Sequence, residues 1–423
     1  MAAISPSPNS GVSSSDFVLP DEPPDRETAE GWAQWRRSRR SFVAAPFLDL
    51  RTYRALSPRD KAFHDLHRRA THANLPMLET PMSATVSRLL HSRMQTNSLN
   101  AGPSTRPGVM INGGGNQGKT ETTAEAAASF EEMWLHLRQR CDPEPLPGVR
   151  DVRCTVAYVQ TPVKATPKAT CESILDFFGD HISRSATLTQ LIRQVRTSLR
   201  DHRTRVLILD DITRLRMHRV DDQDTLDLLR SLMSMRVTLI LVGVGIPKSG
   251  LLRGAQRDAT GQWAFEPYAL DADWADDETT QTERRFDLAD LEPFRYGTAE
   301  DIAHFVTHLA GLEGQLRLFN ARPGMLTGGI MPEYVYRRTG GVVGYIERLI
   351  GDGAALAMDT GTEEINEGVL DRVLIRAGGP RRDAASGEEG EVPPQPASMK
   401  GRRKPRNKVL DDPGVPASST AVT

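Results

Sequence analysis

Short apolar runs alternate with helical patterns through the middle of the chain. Four runs are almost wholly apolar and predict strands: 109–112, 154–160, 205–210 and 237–243. Such runs are typical of strands buried on both faces of a parallel sheet. Between the second and third runs apolar residues recur at helical spacing over 188–199, and another helix is predicted over 222–235. The alternation predicts an α/β domain with a parallel sheet.

Helical patterns occupy both sides of this alternating region. Before the first run, helices are predicted over 27–42, over 57–74 with Pro58 at the first helical position, and from Pro81 onward. A short strand is predicted at 286–288. After it the pattern is all helical, with predicted helices at 302–309, 342–358 and 363–375.

These patterns divide the chain into five predicted parts. They are a disordered N-terminal tail (1–26), an N-terminal helical element (27–100), an α/β domain (101–290) with a polar insertion (254–285), a helical domain (291–377), and a disordered basic, Pro-rich tail (378–423).

Composition narrows the class of protein only a little. Hydrophobic residues make up 38% of the 423 residues, which is low and agrees with unfolded tails, and the formal net charge of −2 does not indicate nucleic-acid or membrane binding. The three cysteines form no C-x-x-C pair, so we expect no disulfide framework or zinc site and a reducing cytoplasmic setting. The chain has neither a long apolar run nor a secretory signal pattern at its start, so no membrane span is predicted.

A phosphate-binding loop follows the first predicted strand. Residues 113–120 match G-x-x-x-x-G-K-[ST], and a helix is predicted directly after them. In this pattern glycines let consecutive N–H groups converge on a phosphate, the lysine contacts the β- and γ-phosphates, and the hydroxyl ligates Mg²⁺. We expect ATP to be held by the following residues: Gly113, Gly114, Gly115, Asn116, Gln117, Gly118, Lys119, Thr120 and Glu121.

Two acids end the third predicted strand. Leu207-Ile208-Leu209 leads into Asp210 and Asp211. The strand would aim Asp210 at the Mg²⁺ held by Thr120, and Asp211 would orient or deprotonate the attacking water. Because glutamate is commoner than aspartate at the second position, Asp211 predicts an ATPase, converting ATP and water to ADP and phosphate, with slow turnover.

Several basic residues are weaker candidates. Arg284 and Arg285 precede the strand at 286, where in a ring-forming ATPase an arginine faces the neighbouring subunit's nucleotide; a solvated pair fits equally well, and Arg285 is the predicted catalytic arginine. Arg348 is either a lid arginine or a surface residue. After the fourth strand, 242–246 holds no Asn or Thr, and Lys248 is a candidate γ-phosphate sensor; a Gly-rich turn that allows close packing at Gly243 and Gly245 fits better.

Two basic clusters suggest contact with the phosphate backbone of DNA, although most such runs are solvated surfaces. Their members are Arg36, Arg37, Arg39 and Arg40 near the start and Lys400, Arg402, Arg403, Lys404, Arg406 and Lys408 near the end.

Several segments together resemble the TniB/TnsC group of transposition AAA+ ATPases. Beside the loop and the two acids, the resemblance rests on 56–59, 63–64 and 75–76, on Tyr158-Val159-Gln160-Thr161-Pro162, on 241–245, and on 339–344 with the helix to 358. It covers roughly residues 55–376, without the tails and the insertion.

The resemblance implies a AAA+ fold, with a helical lid formed by 291–377, and ATP-dependent assembly into rings or filaments on double-stranded DNA. It also implies a regulator that recruits or stimulates a DDE-type transposase, together with a target-selection protein. Two other functions fit the residues: a nucleotide-gated scaffold with little hydrolysis, and a AAA+ loader or signalling ATPase that acts on proteins.

Overall fold

A five-stranded parallel sheet forms the centre of the protein in the computed structural model. The structure describes residues 19, 22–141, 153–163, 165–214, 223–249, 255–257, 263–265 and 285–375. The strands of the sheet are β1 (Gly108–Gly113), β2 (Val156–Gln160), β3 (Val206–Asp210), β4 (Thr238–Gly243) and β7 (Phe286–Leu291). Their order across the sheet is β2-β3-β4-β1-β7, with every neighbouring pair parallel. The predicted α/β fold with a parallel sheet is therefore confirmed.

Helices cover both faces of the sheet and continue on either side of it in the chain. They are α1 (Ala29–Ser38), α2 (Leu50–Ala55), α3 (Pro58–Ala73), α4 (Pro81–Leu99), α5 (Lys119–Cys141), α6 (Pro167–Phe178), α7 (Leu188–Asp201), α8 (Gln223–Met233), α9 (Ala299–Glu313), α10 (Met331–Thr339), α11 (Val343–Thr360) and α12 (Glu367–Leu370).

Side-chain caps define where many of these helices begin. The hydroxyls of Ser57, Thr80 and Thr298 each accept a hydrogen bond from the backbone N–H three residues on, which satisfies a donor that the helix itself cannot. Pro58 and Pro81 then occupy the first helical position, where the missing N–H costs nothing. The structure thus confirms the helices predicted over 57–74 and from Pro81 onward.

Two hydrophobic clusters lie within the described residues. One surrounds the sheet and includes Met110, Phe130 and Leu207, all fully buried. The other is formed by the helices after β7 and includes Phe305, Leu349 and Ile350. The predicted boundaries between domains stay predictions.

The predicted polar insertion includes two short antiparallel strands, β5 (Ala255–Arg257) and β6 (Trp263–Phe265). The remainder of the insertion up to residue 284, and the predicted tails apart from Leu19 and residues 22–26, lie outside the described residues. So does the basic cluster at 400–408.

None of the helices that the structure describes combines the length and apolarity needed to cross a bilayer.

Three arginines of the first basic cluster, Arg36, Arg39 and Arg40, are ion-paired within the chain. Arg36 Nε lies 3.1 Å from Glu131, Arg39 Nε lies 2.9 Å from Glu125, and Arg40 also pairs with Glu125. These pairs hold α1 against α5. Docking of α1 accounts for Arg36, Arg39 and Arg40, and contact of the cluster with DNA stays a prediction.

Candidate nucleotide-binding site

The loop between β1 and α5 has the backbone that a phosphate-binding loop requires. Asn116 and Gly118 have φ angles of 59° and 77°. This left-handed region favours Gly and Asn, so the chain can turn sharply and enter α5 at Lys119. A Cβ at Gly113 would lie 2.5 Å from the carbonyl oxygen of Leu291 on β7, so only glycine fits there. The loop therefore sits at the carboxyl edge of the sheet, with the positive end of a helix behind it.

Lys119 lies inside this loop rather than in solvent. Its side chain is buried, and its ammonium donates a hydrogen bond to the Gly114 carbonyl oxygen at 2.5 Å. Burial lowers the pKa of Lys119, and the nearby carboxylates of Asp210 and Asp211 oppose that effect. The Gly114 N–H in turn donates to the side-chain oxygen of Gln117. Polar groups of the loop therefore form hydrogen bonds with one another.

Asp210 meets Thr120 directly. The Thr120 hydroxyl donates to Asp210 Oδ2 at 2.7 Å, although the two residues are far apart in the chain. Asp210 is only 4% exposed, and its other oxygen accepts the backbone N–H of Asp211 at 2.8 Å. A second donor, the Tyr158 hydroxyl, also reaches Oδ2 at 2.7 Å. The structure therefore brings together the two residues predicted to hold Mg²⁺.

Asp211 has a strained backbone and a side chain that is already engaged. Its φ is 54°, which is uncommon for a residue other than glycine. Arg214 forms an ion pair with its Oδ2 at 2.8 Å, and Gln160 donates to the same oxygen at 3.2 Å. Asp211 lies beside Asp210, as predicted, but it is held by partners from its own chain.

The helical region after β7 contacts the loop through the start of α11. The N–H of Gly344 donates to the Asn116 carbonyl oxygen at 2.9 Å. One turn later, Glu347 Oε1 is buried with no hydrogen-bond partner among the described residues, and burial followed by repulsion from Glu121 raises the pKa of Glu347 to about 7. Arg348, which the sequence left open between a lid arginine and a surface residue, is 60% exposed with its Nε 3.4 Å from Asp352.

Glu121 and Arg285 do not converge on the same point. Glu121 is bound by Arg26, whose guanidinium donates to both carboxylate oxygens at 2.9 and 3.2 Å. Arg285 is exposed at the amino end of β7, where its carbonyl accepts the Gly108 N–H at 2.8 Å. Because the strands are parallel, this is the opposite edge of the sheet from the loop, so within one chain Arg285 does not join Lys119 and Asp210. Arg284 and the Lys248 side chain lie outside the described residues.

Asn112 is a site residue that the sequence analysis missed. It lies 7% exposed near the end of β1; its side-chain oxygen accepts the N–H groups of Gly245 and Ile246 at 2.9 and 3.1 Å, and its amide donates to Asp290 at 2.6 Å. It thereby fixes the turn after β4 and the end of β7 around the loop. The sequence signal that could have identified Asn112 is a polar side chain at the end of an apolar strand.

The oxygen donors present fit Mg²⁺. No group of three or more His, Cys, Asp or Glu side chains placed to hold a metal occurs in the described part of the chain. Mg²⁺ usually takes only one or two protein oxygens and completes its shell with phosphate and water. Thr120 and Asp210 offer such a pair: the hydroxyl donates a hydrogen bond to Asp210, and the lone pairs of its oxygen can bind a cation.

Comparison with known proteins agrees with the site at the level of the domain. Residues 104–246 match the family model described as AAA domain. No curated protein matches the chain.

Three solved structures are similar to this chain. ORC1 of Aeropyrum pernix in complex with DNA is 14% identical, with a TM-score of 0.48 over 72% of this chain and 67% of that chain. ORC2 of Aeropyrum pernix, as ADPNP–ADP complexes, is 16% identical, with a TM-score of 0.44 over 72% and 70%. Cdc6p of Pyrobaculum aerophilum is 12% identical, with a TM-score of 0.45 over 70% and 67%.

These three likenesses are too weak to carry an argument about function. The parallel sheet and the loop after β1 agree with the match of residues 104–246 to the AAA domain, and together they show the AAA+ P-loop fold.

Proposed function

We propose that the chain binds ATP and Mg²⁺ at this loop and acts as an ATP-dependent regulator of DNA transposition. In this proposal it assembles as a homo-oligomer on double-stranded target DNA in the cytoplasm, and it recruits or stimulates a DDE-type transposase, together with a target-selection protein.

The convergence of Lys119, Thr120 and Asp210 carries the nucleotide part of the proposal. The Lys119 ammonium lies against the loop carbonyl of Gly114, where a β- or γ-phosphate would replace that weaker partner. Thr120 and Asp210 would hold Mg²⁺, which when bound neutralises phosphate charge and orients the phosphates for attack by water. The N-terminal end of α5 adds a favourable field for the anion.

One observation favours slow hydrolysis. A general base must reach the attacking water, yet Asp211 Oδ2 is held by Arg214 at 2.8 Å. Turnover would require Asp211 to leave this ion pair, or Arg214 to move with it. A second candidate function, a nucleotide-gated scaffold that binds ATP and hydrolyses little of it, is supported by this contact.

The transposition part of the proposal depends on the sequence resemblance. Two segments that are more particular to the TniB/TnsC group than the loop itself contact the site. Gln160 binds Asp211, and Thr161 accepts a hydrogen bond from Arg214 at 2.7 Å through its carbonyl. Gly245 binds Asn112. These contacts support a role in nucleotide response for the segments that carry the resemblance.

Nucleotide binding is tested with Lys119→Ala. We expect at least a ~10-fold loss of affinity for a fluorescent ATP analogue, because a charge-assisted hydrogen bond to phosphate contributes roughly 1.5–3 kcal/mol. Lys168→Ala is the matched control, since Lys168 is 44% exposed on α6, away from the loop. Equal affinity of the two variants would contradict the proposed site.

DNA assembly is tested by sedimentation and electron microscopy of the full chain with double-stranded DNA at low salt. We expect oligomers on DNA with a non-hydrolysable ATP analogue and their loss with ADP or with Lys119→Ala. Stimulation of a DDE-type transposase encoded beside this chain would support the regulatory role. Assembly that ignores both nucleotide and DNA would contradict it.

A further inference from the structure

We propose that Tyr158 is a positioning residue for the Mg²⁺-binding carboxylate of Asp210, held in place by Trp32 of the N-terminal helix. This inference rests on the proposed function, because it concerns the metal response of the same nucleotide site. It adds a residue of β2 and a residue of α1 to that site.

The hydrogen bonds of Asp210 leave it little freedom. A carboxylate has about four lone-pair positions. Three are used, by the hydroxyls of Thr120 and Tyr158 on Oδ2 and by the Asp211 N–H on Oδ1. The Tyr158 and Thr120 bonds fix the orientation of the carboxylate beside the loop, and these three contacts leave one lone-pair position of Oδ1 unused.

Tyr158 can act only as a donor in this arrangement. The residue is 5% exposed, and its hydroxyl lies 2.7 Å from Asp210 Oδ2. A carboxylate oxygen accepts, so the hydroxyl is the donor in this contact. Because this hydroxyl donates to Asp210, it orients the carboxylate, as the hydrogen-bond partners of metal ligands generally do.

The ring of Tyr158 is held by the N-terminal segment. Trp32 stacks on it with ring centroids 5.8 Å apart and planes 8° from parallel. Trp32 is fully buried, and its indole N–H donates to Glu131 of α5 at 2.7 Å. The guanidinium of Arg26 lies 5.4 Å from the Tyr158 centroid and also binds Glu121, the residue after Thr120. Residues outside the matched AAA domain thus contact the metal-binding pair through one tyrosine.

A purely structural tyrosine would explain the stacking but not the position of the hydroxyl. Tyr53 provides the comparison within the same chain. Its hydroxyl donates to Asp65 at 2.7 Å, the same length as the Tyr158–Asp210 bond, and that pair lies in the N-terminal helices and does not touch the loop. If Tyr158 only stabilises the fold, the loss of either hydroxyl should have similar consequences.

The test compares Tyr158→Phe with Tyr53→Phe in the full chain. For each we would measure the thermal midpoint without ligand, the affinity for a fluorescent ATP analogue in EDTA, and the Mg²⁺ concentration that gives half of the metal-dependent gain in affinity. For Tyr158→Phe we expect this Mg²⁺ concentration to rise ~10-fold, the usual size of such outer-partner effects, with the affinity in EDTA unchanged. Tyr53→Phe should leave both binding values at the wild-type level.

The outcomes separate this inference from the proposed function. An unchanged Mg²⁺ requirement in Tyr158→Phe, with wild-type nucleotide binding intact, overturns the inference alone. A wild-type chain that binds no nucleotide overturns the proposed function and the inference together. For the N-terminal part, Trp32→Phe should raise the Mg²⁺ requirement in the same direction; a wild-type requirement in a folded Trp32→Phe protein overturns the role of Trp32.

Discussion

At the scale of single residues, the glycines of the loop differ in what they allow. A Cβ at Gly113 would lie 2.5 Å from the backbone oxygen of Leu291, whereas a Cβ at Gly115 would have no atom within 4 Å. We expect Gly113→Ala to lower the free energy of unfolding by ~1–3 kcal/mol, because β7 must shift to admit the methyl group. Gly115→Ala should stay within ~0.5 kcal/mol of wild type.

Urea unfolding without nucleotide measures this difference. Nucleotide must be left out, because a bound ligand would add its own stabilisation. Equal free energies of unfolding for the two variants would show that β7 does not press on the loop at Gly113.

The residues of the loop could be predicted from the sequence because their roles are local. Gly118, Lys119 and Thr120 lie in one turn, and Asp210 and Asp211 end an apolar run that points to the same edge of a parallel sheet. Trp32 and Tyr158 could not be placed beside Asp210 in this way. Their stacking depends on how α1 docks, which local patterns do not encode.

At the scale of elements, the prediction succeeded where a pattern was both local and strong. Each of the five strands of the sheet was predicted to within a few residues. Four of them are short apolar runs, and the fifth, β7, was predicted as a short strand from residue 286. Helices α6 and α10 were missed although Gly179 and Gly340 end them in the left-handed conformation. The helix predicted over 363–375 proved to be the short α12, because Asn366 caps it late.

The contact between α11 and the loop gives a prediction about an element. A Cβ at Gly344 would lie 2.8 Å from the Asn116 carbonyl oxygen, which accepts the Gly344 N–H. Gly344→Ala should therefore push the start of α11 away from the loop and cost ~1–3 kcal/mol of stability. The affinity for a fluorescent ATP analogue should also fall, because Asn116 loses its partner.

Gly314→Ala is the matched control for this change. Gly314 also lies at a helix end, has a φ of −62°, and would place its Cβ 3.6 Å from the nearest atoms, an ordinary contact. Its thermal midpoint and affinity should equal the wild-type values. If Gly344→Ala behaves in the same way, α11 does not constrain the loop.

At the scale of the whole molecule, the docking of the N-terminal segment was the main feature beyond prediction. The sequence showed a basic cluster and left open whether its arginines bind DNA. In the structure Arg36 and Arg39 reach acids of α5, and these partners are far away in the chain. Charge patterns indicate an attraction but not its partner, since a solvated face, a nucleic acid and a docked helix all fit the same run.

The stability of the whole molecule should fall in mild acid because of two buried histidines. Burial lowers the pKa of His72 and of His308 to about 4, from an ordinary value of 6.5, with repulsion from Arg68 as a second cause for His72. Between pH 6.5 and about 4 the unfolded chain binds these protons and the folded chain does not. The stabilisation is therefore complete above pH 6.5 and is lost as the pH falls, by up to ~3 kcal/mol for each histidine. Glu347, with a raised pKa of about 7, acts in the opposite direction over 4.5 to 7.

His308→Phe isolates one part of this pH dependence. Both ring nitrogens of His308 are buried and have no hydrogen-bond partner in the described part of the chain. The ring lies 5.0 Å from that of Phe294 and borders a cleft of about 400 Å³. An apolar ring should therefore be accepted at pH 7.5 with little change, and the fall in the urea midpoint between pH 6.5 and 4.5 should be smaller than in wild type. His136→Gln, at an exposed position of α5, should keep the wild-type slope. If the urea midpoint of His308→Phe falls with pH as steeply as that of wild type, the folded protein binds a proton at His308 as readily as the unfolded chain does. His308 would then not contribute to the loss of stability in acid.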